Sequence, residues 1–258
     1  MTSYPSPERD FLMDLSNAPP NADPVYRKLH RAFFAVCIVL APLTLSLWFV
    51  FCPTSALDPS CPDQGSSLAV FAAFRAMNPL SMQIFLFLNL IIPYLYPLSC
   101  IGLGLLAMKR SPWLATLGVA CGFAGSIVWG LIAGQIALLD GMAQIGNNPI
   151  FVTIENHYYS NWMTLTFAIA WLFGHLLGYV LLGIALARAR VIPPWAACLI
   201  IASAPLMGPI AYGTGLGLLQ VLGFVLVFIG SVPAALAMLK VRDEQALVSP
   251  GEEPTPTT

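Results

Sequence analysis

The chain has 258 residues, 58% hydrophobic and only 9% charged, with a mean hydropathy of +0.78. Soluble domains carry roughly 45–50% apolar and 25% charged residues, so a soluble fold has no means of hiding this much apolar surface. The formal net charge of −1 and the scatter of basic residues into short clusters exclude a nucleic-acid partner, which needs a gathered cationic patch.

A Lys, Arg or Asp at the centre of a span opposes membrane insertion by about 2.5–3.5 kcal/mol, so charge-free runs mark candidate spans. Residues 1–22 are polar and read as a disordered segment. Asp23 followed by Pro24 has the form of a helix N-cap with proline at the first helical position. The basic helix that follows, with His30 among Arg27, Lys28 and Arg31, suits an interfacial anchor, with anionic lipid binding as the alternative. The first span is Ala32 to Phe51. It starts too far into the chain, and runs too long, for the apolar region of a cleaved signal.

Beyond it, Cys52 and Cys61 bracket a segment containing Pro53 and Pro59. The prolines favour turns, and the expectation is a disulfide in a compartment where disulfides persist. The other four cysteines, Cys37, Cys100, Cys121 and Cys198, fall in spans as small packing residues.

The second span is Ile84 to Met108, with Pro93 and Pro97 inside it, and the third is Trp113 to Leu139. The third carries Gly118, Gly122, Ser126, Gly130 and Gly134, a stripe of small residues that lets another helix approach closely. It reads as a central packing helix of this chain, with a homodimer or membrane-complex seam as the alternative. The outer connection then supplies Asp140, Glu155 and His157 beside Tyr158, Tyr159 and Trp162. The aromatics suit an interfacial belt. The two acids and the histidine are candidates for acid–base catalysis, but their spacing matches no metal-ligand motif, and no metal site is assigned.

The fourth span, Trp162 to Ala187, places Phe167, Trp171, His175 and Tyr179 four apart. His175 is the one Asp, Glu, Lys, Arg or His deep in any span, and such a group must face protein or water and find a partner. It is either a packed, hydrogen-bonded imidazole or part of a site. No second histidine at membrane depth supports haem ligation, and no cofactor is expected. The uncharged length from Arg190 to Lys240 is too long for one helix. It divides at Ala211-Tyr-Gly-Thr-Gly215 into a fifth span, Trp195 to Ala211, and a sixth, Leu216 to Leu239. The fifth carries Pro205 and Pro209, spaced like Pro93 and Pro97. Broken helices in corresponding halves point to the central site of a transporter, and kinked packing helices are the plainer alternative. Residues 241–258 form a polar tail.

With six spans, Arg9, Arg27, Lys28, Arg31, Lys109, Arg110, Arg188, Arg190, Lys240 and Arg242 all fall on one side, and Arg75 alone lies opposite. Because cations are retained in the cytoplasm, both termini are expected there. The expected fold is therefore all-α: a polytopic membrane bundle of six transmembrane helices in contact with the lipid bilayer.

The stretch Gly174-His-Leu-Leu-Gly-Tyr-Val-Leu-Leu-Gly-Ile-Ala-Leu-Ala-Arg-Ala-Arg-Val-Ile-Pro-Pro-Trp-Ala196 resembles the fourth helix and basic turn of small six-helix bacterial membrane proteins of uncharacterised function. That resemblance implies the fold and a bacterial cytoplasmic membrane, and carries over no functional residue.

The expected function is non-enzymatic binding or passage of an apolar or weakly polar small molecule. The candidate ligand-binding residues are His175, Trp171, Tyr179, Pro93 and Pro205. The alternatives are a lipid- or isoprenoid-directed enzyme at the outer leaflet using Asp140, Glu155 and His157, and a structural or regulatory subunit of a membrane complex. The absence of Asp, Glu, Lys and Arg from the spans argues against ion-coupled transport, which needs intramembrane carboxylates.

Overall fold

The structure is a computed structural model that describes residues 24–52, 68–146 and 148–240. Among these, helices account for nearly every residue and no strand occurs. They are α1 (Pro24–Phe51), α2 (Leu68–Ala76), α3 (Pro79–Met108), α4 (Pro112–Ile145), α5 (Pro149–Ser160), α6 (Trp162–Ala189), α7 (Pro194–Pro205), a π-helical turn (Leu206–Ile210), α8 (Ala211–Thr214) and α9 (Leu218–Lys240).

Several starts follow one local rule. Asn78, Asn148 and Asn161 each accept a hydrogen bond from the backbone N–H two residues on, at 2.9, 3.0 and 2.9 Å, satisfying a donor that the first turn leaves orphaned. Proline follows directly at Pro79 and Pro149, where its missing N–H costs nothing. This cap is why α3 begins at Pro79, ahead of the expected Ile84. It is also why Pro149–Ser160, expected as loop, forms a helix.

Helices α1, α3, α4, α6 and α9 are long and apolar enough to cross a membrane, and the apolar stretch Pro194–Ile210 is shorter. Large side chains such as Phe87, Leu90, Ile127, Phe173 and Ile229 are exposed around the outside. In water that surface would be an aggregation liability, but against lipid chains it is the solvated face. Trp113, Trp162 and Trp195 stand exposed at the starts of α4, α6 and α7, where amphipathic indoles settle at a membrane–water boundary.

The six longer segments pack in chain order around a ring: α1 on α3, α3 on α4, α4 on α6, α6 on α7, α7 on α9, and α9 back on α1. Across the middle, α3 meets α6 and α9. The two proline pairs differ in effect. Helix α3 continues unbroken through Pro93 and Pro97. Pro205 and Pro209 instead coincide with the π-helical turn, a local widening of the helix that accommodates a lost backbone donor. The chain reverses beyond Thr214 at Gly215, whose φ of 69° lies in the left-handed region that glycine adopts without strain.

Candidate functional site

The α4–α6 pair controls the interior. Gly122 and Gly178 face each other so closely that a Cβ on Gly178 would sit 2.7 Å from the Gly122 Cα. Gly125 meets the His175 backbone and Gly118 meets Leu182 in the same way. Farther along, Gly130, Gly134 and Gly141 have nothing within 4 Å of where a Cβ would be. The reason is the spacing: residues four apart turn about 40° past a full circle at each step, so the stripe winds off the α6 face before α4 ends. Gly118, Gly122 and Ser126 are thus buried within this chain, while Gly130 and Gly134 are exposed.

Where this close packing ends there is a cavity of about 390 Å³. Its wall combines the end of α1 (Trp48, Phe49, Cys52), Val70 and Phe74 of α2, Phe85 of α3, and Gln220 of α9. Val128–Leu139 of α4 and Thr164–Trp171 of α6 supply most of the rest, with Glu155 and Tyr158 contributed by α5. Leu131, Leu165 and Phe167 belong to this wall and are also exposed on the outside, so the cavity reaches the apolar flank of the bundle between α4 and α6.

The polar inventory is small and unusual. Trp48 Nε1, Trp129 Nε1 and Glu155 Oε2 are buried without a hydrogen-bond partner, on residues only 8%, 3% and 4% exposed. Buried polar atoms are nearly always paired, so each orphan asks for an explanation. The two indoles meet edge-on with centroids 5.2 Å apart. Burial pushes the Glu155 carboxyl above its ordinary pKa, because desolvation disfavours the charged form.

His175 lies next door. It is 3% exposed, with the Tyr96 hydroxyl 3.2 Å from its Nε2, the Tyr96 ring stacked at 4.8 Å and Tyr179 edge-on at 5.2 Å. It borders a second space of about 10 Å³, shared with Phe49, Trp171 and Gln220, which also line the large cavity. That volume is about one water molecule's worth.

Of the residues expected at a site, Trp171 lines both spaces and His175 the small one. Tyr179 is sealed in the core, Pro93 is half-buried and Pro205 exposed, and none of these three lines either space. Of the three outer candidates for acid–base catalysis, Glu155 alone lines the large cavity. Asp140 accepts a hydrogen bond from Gln144, and His157 is exposed. No metal-holding cluster of His, Cys, Asp or Glu occurs among the described residues. Cys52 directly follows α1 at the cavity wall, and its expected partner Cys61 lies outside the described residues, among which no disulfide occurs.

Trp48, Trp129 and Gln220 were not singled out from sequence. The available signal was an indole or amide near a span end, which the belt rule assigns to the lipid boundary. Fold and cavity together define the class, a multi-pass apolar helical protein with a cavity among its helices. No protein-family model matches the chain, and neither the curated proteins nor the solved structures contain a match.

Proposed function

We propose that this chain spans a bacterial cytoplasmic membrane six times with both termini inside, and that it binds or passes an apolar or weakly polar small molecule through the cavity between α4 and α6. The cavity carries the reading. Its volume falls within the roughly 300–1,000 Å³ of small-molecule sites, and its wall is mainly aromatic and aliphatic with a few polar groups, as in such sites. Its flank mouth offers entry from the bilayer without crossing the headgroups. Asp140 and His157 stand outside the wall, which leaves the enzyme alternative without a reaction centre.

The crossing beyond the five long helices is the fifth in chain order: Pro194–Ile210 extended by α8, a continuous helical run of about 30 Å at the usual rise, supports it. Lys109, Arg110, Arg188, Arg190 and Lys240 all lie at the end of the bundle where α1 begins, and the Arg110 guanidinium ties two of these turns together by donating to the Ala189 carbonyl at 3.0 Å. The cavity occupies the opposite, outer end.

The test is saturable binding of N-phenylnaphthylamine to purified protein in nanodiscs, measured by its fluorescence. Binding should exceed that of empty nanodiscs and disappear in Ala168→Trp, which fills the cavity from α6. Binding no greater than to empty discs, or undiminished by the tryptophan, overturns the reading. Orientation is checked by labelling single cysteines in whole cells. Asn156→Cys should react with an impermeant maleimide and Lys109→Cys should not, and the reverse pattern overturns the assigned topology.

A further inference from the structure

We infer that the α3–α4 and α6–α7 corners together form a docking site for the headgroup of an anionic phospholipid. The inference rests on the reading that this end of the bundle lies at a membrane surface, and not on the cavity. Each corner carries two cations and then proline and tryptophan: Lys109-Arg110-Ser111-Pro112-Trp113 in one, and Arg188 and Arg190 ahead of Pro193-Pro194-Trp195 in the other. The bond from the Arg110 guanidinium to the Ala189 carbonyl, at 3.0 Å, joins them. Ala189 stands between Arg188 and Arg190 in the chain, so three arginines and Lys109 start from one small area of surface, and all four are exposed. Asp140 and Glu155, the two acids among the described residues, belong to the opposite end. Cations gathered in this way repel one another unless an anion sits among them, and a phosphodiester suits arginine because a guanidinium pairs with two phosphate oxygens at once.

Backbone conformation adds an independent sign. Arg190 closes α6 with φ 54° and ψ 36°, in the left-handed region where glycine or asparagine fits with less strain. The turn itself therefore does not call for arginine. Nor does the helix end, because Arg110 already serves the last carbonyl of α6. A role that uses the Arg190 charge outside the chain accounts for both. Trp113 and Trp195, 82% and 53% exposed, decide between a lipid and a soluble phosphate. They stand in the first turns of α4 and α7, directly after the cations, and exposed indoles at span ends settle at the headgroup level of a bilayer. Cations and indoles together thus match the polar region of a lipid, whereas a soluble phosphate would use the cations alone.

The experiment is native mass spectrometry of the purified protein in detergent, titrated with phosphatidylglycerol or with phosphatidylcholine of the same acyl chains. Phosphatidylglycerol should bind first and more tightly, with each cation of the site worth about a fivefold preference. Arg188→Gln combined with Arg190→Asn should therefore lower its affinity about 25-fold and leave phosphatidylcholine unaffected. Arg190→Asn alone should melt no lower than the parent, because asparagine tolerates the left-handed conformation, which separates lost lipid from lost fold. Lys28→Gln removes the same charge from α1, across the ring from α6, and should change the affinity less than about twofold, since charges beyond about 8 Å are screened at physiological salt. Millimolar glycerol phosphate should not displace the lipid. Equal affinity for the two lipids, or an equal loss in Lys28→Gln, overturns the site in favour of a diffuse field, and displacement by glycerol phosphate overturns it in favour of a soluble ligand. Retention of neither lipid by the folded protein overturns the site and the membrane reading together.

Discussion

Replacing Gly178 by alanine is the sharpest probe of the α4–α6 packing on which the cavity depends. The added Cβ would lie 2.7 Å from the Gly122 Cα and 2.8 Å from its nitrogen. Both are backbone atoms, so no side chain can swing aside and the helices must separate. Overpacking of this kind costs about 1–3 kcal/mol. Against it stands the gain of about 0.5–1 kcal/mol when alanine replaces glycine within a helix. Gly130→Ala is the matched control, since its Cβ meets nothing within 4 Å and the helical gain stands alone. The two variants make the same chemical change in the same helix pair, yet their stabilities should differ by about 1–3 kcal/mol, with Gly178→Ala the weaker. Reversible unfolding in mixed micelles, titrated with dodecyl sulfate and followed by far-ultraviolet dichroism, measures both. Equal stabilities would mean that α4 and α6 do not touch at Gly122 and Gly178, and the account of why the cavity opens beyond them would fail with that.

Three further expectations concern single groups. His175→Leu deprives the Tyr96 hydroxyl of its partner and should lower stability by about 1–3 kcal/mol while leaving naphthylamine binding intact; lost binding at unchanged stability would instead place the imidazole in the site. Glu155 has its folded pKa raised from an ordinary 4.5, so the folded state holds the proton more tightly and the native protein loses stability as pH climbs from that value to the raised one. Glu155→Gln should therefore match the parent in acid and surpass it increasingly through that window, and parallel pH profiles for the two proteins would contradict the burial of the carboxyl. The pairing of Cys52 with Cys61, worth roughly 2–3 kcal/mol by loop closure, predicts four alkylatable thiols in denatured, unreduced protein and all six after reductant; six from the start would exclude the bond.

Much of the architecture was legible because charge is so costly in a bilayer that its absence delimits helices. The run between Arg110 and Asp140 needed little more than counting, whereas the run between Arg190 and Lys240 divides near Gly215 into one membrane-length helix and the shorter apolar stretch Pro194–Ile210. What composition hid was the short capping helices. Residues 149–160 look like a polar loop, yet Asn148 caps them and Phe151, Glu155 and Tyr158 fall at helical spacing on one face. That face turns Glu155 inward, so a residue read as an outer-surface acid becomes part of a cavity wall. The glycine stripe of α4 was visible as a spacing of four, but its gradual rotation around the helix, close-packed at Gly122 and open at Gly130, becomes plain only once α6 is in place beside it. Cavities are the least legible feature of all: Trp48 and Trp129 lie far apart in sequence, and nothing local to either marks the shared space.

The ring also dictates an order of construction. Around the ring itself, every seam but one joins longer segments that follow one another in the chain, and these can form as soon as the second partner leaves the ribosome. The exception joins α1 to α9, where Phe49 stacks on Phe224 at 5.6 Å. Until the last helix arrives, the flank of α1 waits in lipid, and Gln220, which closes one side of the cavity, is missing from its wall. The complete cavity wall is thus a product of the final assembly step. Because that step lays the first and last helices side by side with their chain ends at the same face, the covalent opening of the ring could be moved to another connection and the same closed circle would re-form.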